Sequence, residues 1–234
     1  MKNLAIICCL HGNERYGFEV SKNQSFFPFF LSNKKAFIEN KRFIDTDLNR
    51  CFPGKLEGNY EEKLAYNLIK KIKYFYYILD LHSSSNYCPM FGIITKPNNE
   101  KIEFARLLGL KKLVIMPEFF ASGKALIDFV DCGISIEVGP HNREENVKEA
   151  NLLIKNILEN KINNNNNMEI FEVFNIIKKS KENILINNFD NIKKDQVIAS
   201  DISGNQIAEY DFTAVLVNEE SYEGILCLAC KKIN

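Results

Sequence analysis

Residues 4–10, Leu-Ala-Ile-Ile-Cys-Cys-Leu, run without a break into His11-Gly12-Asn13-Glu14. A short continuous apolar run bounded by polar residues reads as a strand covered on both faces, the habit of parallel sheets. The arrangement recurs twice. Residues 74–81 end at His82-Ser83-Ser84-Ser85, and residues 134–138 carry Glu137 just before Gly139-Pro140. Helical patterns lie between these runs. Asn59 can cap a helix whose Glu62 stands three residues on, with Leu64, Ala65, Leu68, Ile69 and Ile72 at helical spacing. Residues 99–108 (Ile102, Ala105, Leu108) and 144–159 (Val147, Ala150, Leu153, Ile154, Ile157, Leu158) repeat the pattern. Strands alternating with helices predict an α/β fold, a mainly parallel twisted sheet with helices on both faces.

The pattern changes after Glu159. Residues 163–167 are five asparagines with no apolar period, which reads as a solvated linker over 161–167. Beyond it come short strand-like stretches at 169–177, 197–199, 214–217 and 225–228, with a Ser203-Gly204-Asn205 turn. The expected organisation is a catalytic α/β domain over 1–160 and a small C-terminal β domain over 168–234 that caps the site.

Bulk properties narrow the function. The 234 residues are 46% hydrophobic and 26% charged, ordinary for a soluble globular protein. Thirty basic and thirty acidic side chains cancel, so no field draws the chain to nucleic acid or an anionic membrane. No apolar run is long enough to span a bilayer, and the N-terminus carries no signal-peptide pattern. The seven cysteines are scattered through apolar segments, which suits a cytoplasmic setting. The Cys227/Cys230 pair reads as strand residues, and the oligomeric state, a homo-oligomer included, is left open.

Chemistry concentrates where the strands end. Ligands of open α/β sheets bind beyond the carboxyl ends of the strands, so His11-Gly12-Asn13-Glu14, His82 and Glu137 are expected to converge. Two imidazoles and one carboxylate (His11, Glu14, His82) suit a catalytic Zn²⁺ with its fourth position open to water, one ion per chain. Glu137 would then be a free carboxylate near that water. A His-x-x-Glu also arises by chance, and a strand-end histidine is often structural, so the pattern alone leaves both readings open. The stretch 42–50, Arg-Phe-Ile-Asp-Thr-Asp-Leu-Asn-Arg, offers Arg42, Asn49 and Arg50 for bidentate recognition of a carboxylate, or surface pairing of the arginines with Asp45 and Asp47. Asp80 stands two residues before His82, on the same face of a strand, where a carboxylate can hold the second ring nitrogen of a metal-bound histidine.

His11-Gly12-Asn13-Glu14, then Arg42 with Asp47-Leu48-Asn49-Arg50, then Asp80-Leu81-His82, then Ile136-Glu137-Val138-Gly139-Pro140 stand in the order and approximate spacing of the aspartoacylase/succinylglutamate desuccinylase family. The chain resembles that family, part of the wider zinc carboxypeptidase-like group, over residues 4–140, with a weaker likeness at 217–222. The resemblance implies zinc on His11, Glu14 and His82, and Glu137 as general base. It implies Arg42, Asn49 and Arg50 as oxyanion and substrate contacts, Asp47 as partner of the first histidine, and Tyr222 reaching in from the C-terminal segment. The activity implied is amidohydrolysis of an N-acyl amino acid. A zinc carboxypeptidase acting on short peptides and a non-catalytic metal-binding module are the alternatives. The chain departs from the family's aspartoacylase branch in one place: no arginine occurs in residues 123–136 before Glu137, and Lys124 stands at a different distance. His141 reads as an exposed helix-start residue, though it could reach the rim of the site.

Overall fold

The computed structural model describes residues 3–117, 123–159 and 167–234. The asparagine-rich stretch lies outside the described residues except for Asn167. Along the chain come β1 (Leu4–Cys8), α1 (Tyr16–Lys22), β2 (Phe29–Leu31), α2 (Lys34–Glu39), α3 (Tyr60–Ile72), β3 (Tyr77–Ser83), β4 (Phe91–Ile94) and α4 (Asn99–Leu108). Then follow β5 (Lys112–Ile115), β6 (Cys132–Val138), α5 (Glu145–Leu158) and β7 (Glu169–Lys178). The last part holds β8 (Asn183–Ile184), β9 (Asn191–Ile192), β10 (Val197–Asp201), β11 (Gly204–Ile207), β12 (Phe212–Val215) and β13 (Ile225–Lys232).

Ten strands form one sheet in the order β2-β1-β3-β6-β4-β5-β7-β13-β12-β9, and β11-β10-β8 form a second. β1 is parallel to β2 and β3, β3 to β6, β4 to β5 and β5 to β7. β4 runs antiparallel to β6, and β7, β13, β12 and β9 are successively antiparallel. The sheet is thus mainly parallel at its centre, with an antiparallel C-terminal extension. The C-terminal strands are continuous with the α/β sheet through the β5–β7 pair rather than set apart from it.

The alternation along β1 explains why it is apolar throughout. Leu4 and Ile6 enter one core with residues of α4 and α5, while Ala5 and Ile7 enter another with Ala65, Leu68 and Ile72 of α3. Helices therefore cover both faces. α3 begins where its capping box predicts: Asn59 Oδ1 accepts the Glu62 N–H, and Glu62 Oε2 accepts the Asn59 N–H. α1, α2, β2, β4 and β5 carried no distinct periodic signal. They are three to seven residues long, too short for a period to stand out. Strand β3 begins at Tyr77, not at residue 74, because Phe75 N–H closes a turn onto Ile72 at the end of α3.

Candidate active site

Three parallel neighbours deliver the candidate residues to one place. The chain leaves β1 through Cys9, a non-glycine residue at φ 54°, and turns into His11. Gly12 follows because nothing larger fits: a Cβ there would lie 2.1 Å from the Ala36 carbonyl carbon of α2. His82 and Glu137 are register partners on β3 and β6, and Asp80 pairs with Ser135 two residues earlier on the same face.

His11, Glu14 and His82 are buried, and their candidate ligand atoms lie within 4.8 Å of one another. Glu14 bridges the rings: Oε1 is 2.7 Å from His11 Nδ1, and Oε2 is 2.9 Å from His82 Nδ1. The Ser83 N–H also donates to Glu14 Oε2. The far ring nitrogens face carboxylates, His11 Nε2 at 2.9 Å from Asp47 Oδ1 and His82 Nε2 at 2.7 Å from Asp80 Oδ2. Burial works against the charged form of Glu14, but the two imidazoles outweigh it and hold the carboxyl well below its usual range. Burial likewise opposes protonation of His82, and Asp80 and Glu14 overcome it, so its pKa sits well above that of a free imidazole. Asp47, despite burial, is held far down by His11 and Arg42.

Arg42 donates from Nε and Nη2 to Asp47 Oδ2 and lies 3.4 Å from Glu14 Oε1 through Nη1. These acidic neighbours outweigh the effect of burial and raise its pKa further. Asn49 Oδ1 accepts the Leu126 N–H, which leaves the amide NH₂ as the uncommitted end of that side chain among the described residues. Arg50 donates to the Asn49 carbonyl, and its guanidinium carbon stands 5.9 Å from the Tyr222 ring.

Glu137 is half-buried beside this cluster, and among the described residues its side chain makes no hydrogen bond to His11, Glu14 or His82. Burial, reinforced by Glu14 and Glu219, lifts its carboxyl to about 8 against the pull of His82 and Arg42. A cavity of about 340 Å³, its mouth included, brings together His11, Glu14, Arg42, Asn49, Arg50, His82, Glu137 and Tyr222. The candidate ligands, Glu137 and the candidate substrate contacts thus meet there, with Asp47 and Asp80 directly behind the two histidines.

Three residues escaped the sequence reading, and a fourth was placed differently. Glu61 is fully buried and accepts four hydrogen bonds, from Asn33 Nδ2 and from the N–H groups of Ile44, Asp45 and Thr46. It thereby fixes the loop that carries Arg42 and Asp47. In sequence it stands beside the capping Glu62 and looks like a solvated first-turn acid. Glu219 reaches the cavity from the C-terminal segment and accepts the Ser85 N–H. Ser83 contributes the N–H held by Glu14 and a hydroxyl 2.9 Å from His141 Nδ1. His141 is therefore not an exposed helix-start residue: it is half-buried and tied to the site's edge. Cys227 and Cys230 are strand residues of β13 in separate cores, and all seven cysteines are free.

A mixed sheet with a buried His-Glu-His cluster at the strand ends is the build of the zinc carboxypeptidase-like fold. The family model for the succinylglutamate desuccinylase/aspartoacylase catalytic domain matches residues 1–160, and the chain belongs to that family. A probable aspartoacylase of Acaryochloris marina is 34% identical over 105 residues, and one of Trichodesmium erythraeum is 36% identical over 106. Each match covers 36% of this chain and 36% of the relative, about a third of either length. Murine aminoacylase 3 has a similar structure, with a TM-score of 0.83 at 18% identity over 99% of this chain and 95% of that one. A succinylglutamate desuccinylase/aspartoacylase from Rhodobacter sphaeroides gives 0.77 at 13% identity, over 100% and 86%. At these identities the structural likeness concerns the fold.

Proposed function

We propose that this chain is a zinc-dependent deacylase that hydrolyses the amide bond of an N-acyl amino acid, releasing a carboxylate and the free amino acid. The observation that carries the reading is the convergence of His11, Glu14 and His82 next to Glu137, a half-buried carboxyl that lines the same cavity and stands outside the candidate ligand set. The donors fit zinc: two imidazole Nδ1 atoms and one carboxylate, each imidazole backed by a carboxylate on its other nitrogen. Zinc held there would polarise the amide carbonyl and acidify a water molecule.

The remaining steps fall to the chain's own side chains. Glu137 accepts the proton of the attacking water and returns it to the leaving nitrogen; its carboxyl, lifted to about 8 in the metal-free site, would be drawn back down by the charge of a zinc ion into the range where it can take a proton. Arg42, held by Asp47, presents its guanidinium beside the ligand carboxylate, where it offsets negative charge developing on the carbonyl oxygen. The Asn49 NH₂ and Arg50 hold the α-carboxylate, and Tyr222 packs on the Arg50 side of that contact. Residues 168–234 bring Tyr222 and Glu219 over the cleft, and we assign this segment the part of its cover.

The test is a panel of acetyl-, formyl- and succinyl-amino acids offered to zinc-loaded protein. Release of free amino acid that stops on chelation and returns with zinc is the expected result. Removal of C-terminal residues from tetrapeptides, with no acyl-amino acid turned over, would replace this reading with that of a carboxypeptidase.

A further inference from the structure

Past Asn49, Arg50 and Glu137 the cleft opens into a second cavity of about 460 Å³, its mouth included, which neither Glu14 nor Arg42 lines. Its walls are Ile93, Met116, Pro117, Ala125 and Ile127. Ile93 and Thr95 are two residues apart at the end of β4, Ile93 stands across from Ser135, and both face the cavity with Glu137. Of the hydroxyls of Ser135, Thr95 and Tyr222 that line it, Ser135 donates to Asp80, while Thr95 Oγ1 is buried and makes no hydrogen bond among the described residues.

Among the described residues that line it, the cavity has no cationic side chain beyond Arg50 and His82. Arg50 and His82 stand at the junction with the metal-facing cavity, and the ring nitrogens of His82 are taken by Asp80 and Glu14. The described residues on either side of the cavity's open edge, 113–117 and 123, include no lysine, arginine or histidine. Lys124 is exposed, and the group it turns inward is its carbonyl, which accepts the Phe52 N–H.

We propose that this cavity receives the side chain of the amino acid to be released, and that it selects uncharged, apolar side chains over those of aspartate and glutamate. The inference rests on the deacylase reading above. An amide with its carbonyl at the His11–Glu14–His82 cluster and its carboxylate on Asn49 and Arg50 has its Cα between the two cavities. From there the side chain continues into the apolar one. An acidic side chain would bury a second carboxylate, beside Glu137 and with Arg50 already engaged, where no opposite charge meets it. A leucine or methionine side chain instead exchanges water for Ile93, Met116 and Ile127. The Thr95 hydroxyl leaves room for one neutral hydrogen bond and none for a charge.

The experiment compares kcat/KM of the zinc-loaded full chain for the acetyl derivatives of glycine, alanine, leucine, methionine, aspartate and glutamate. Leucine and methionine should exceed aspartate and glutamate by on the order of 100-fold or more. Equal or better turnover of the acidic pair overturns the proposal. Should no acylated amino acid turn over, the deacylase reading falls. The cavity is then judged by calorimetric binding of acetyl-leucine against acetyl-aspartate, where tighter binding of leucine supports it and the reverse or equality overturns it. Ala125→Leu narrows the cavity and should lower kcat/KM for acetyl-leucine at least about tenfold relative to acetyl-glycine, through KM. An equal loss for both, or a changed preference for the acyl group instead of the amino acid, refutes the placement. If Ala125→Leu does not fold, the wild-type panel alone decides.

Discussion

On the metal-facing side of the cleft, each imidazole is gripped at both nitrogens, Arg42 is pinned by Asp47, and the loop beneath them hangs on three hydrogen bonds to Glu61, which a fourth ties to Asn33. On the far side, Ile93, Met116, Pro117, Ala125 and Ile127 meet by shape alone. The first side is directional, so removing one partner strands another charge in a buried place. The second is non-directional and tolerates change in methylene-sized steps. If, as proposed, reaction chemistry belongs to the first side and substrate choice to the second, specificity can drift while the chemistry stays put.

The comparison breaks most visibly at His82. His82→Ala should lose bound zinc on dialysis and reduce turnover to background, because it removes a proposed ligand and leaves buried Asp80 with only the Ser135 hydroxyl as partner. Metal analysis decides: full zinc occupancy in that variant would show that the cluster is not the metal site.

Glu137→Gln comes next. It should retain zinc and lose at least about 10²-fold in kcat, the contribution that general acid–base catalysis commonly makes. Loss of zinc in this variant would turn Glu137 into a ligand and move the directional side of the cleft one residue deeper.

A smaller and graded effect follows from pH. In the metal-free protein His82 holds its proton well above the pH at which a free imidazole would release it. That stability is fully present below pH 6.5 and is lost as pH rises through the raised value. Glu137, neutral up to about 8, acts in the same direction, since above its ordinary pKa the fold must keep it protonated or bury a charge. The thermal midpoint of metal-free protein should therefore fall as pH rises from 6.5 to beyond 8, and zinc should flatten the dependence. Zinc must displace the His82 proton, so its affinity should rise about tenfold per pH unit for each proton released, until that group is deprotonated. Calorimetry in buffers of different ionisation enthalpy counts the protons, and a count of zero would contradict the protonated His82.

These two sides were not equally legible in the sequence. The three buried strands, the α3 capping box and the placement of His11, His82 and Glu137 could be read because strand ends and caps are local signals. Asp80 followed from strand parity with His82. The residue types of 42–50 already offered Arg42, Asn49 and Arg50 for carboxylate recognition, but only an ordered likeness to a family favoured that reading over surface pairing and gave Asp47 its part, since no local rule separates a substrate-binding arginine from a surface one. Glu61 was hidden because its donors lie 15 to 28 residues away in sequence. The apolar cavity was hidden for another reason: its walls come from β4, β5 and the loop before β6, each too short to stand out, and apolar residues look alike whether they fill a core or line a pocket. The one trace was negative, the absence of an arginine before Glu137. The antiparallel β4–β6 pair and the merging of the C-terminal strands into the main sheet depend on long-range pairing that no local pattern encodes.

Glu61→Gln tests how the directional side is held without touching a ligand. One carboxylate oxygen becomes an NH₂ that faces N–H donors, so part of the four-bond set is lost at a cost of about 1–3 kcal/mol. Chemical denaturation should show that loss, together with weaker zinc binding, because the loop bearing Asp47 is no longer fixed. A variant as stable as the parent would mean that the 42–47 loop is held by other contacts.

Ile93→Val makes the smallest change and addresses the other side. It removes one methylene from a cavity wall that is 6% exposed. Stability should fall by about 0.5–1.5 kcal/mol, the ordinary effect of this truncation in a packed region. For a chain of this length that corresponds to about 2–4 °C per kcal/mol in the thermal midpoint. Zinc occupancy should match the parent, since Ile93 touches no ligand. The preference among substrates should shift by a few-fold toward the longer apolar side chain, because one methylene of space is worth at most about 1–3 kcal/mol and the walls relax into part of it. A change in zinc content, or an identical shift for acetyl-glycine and acetyl-leucine, would show that the apolar wall is coupled to the metal-facing side and that the two are not separable.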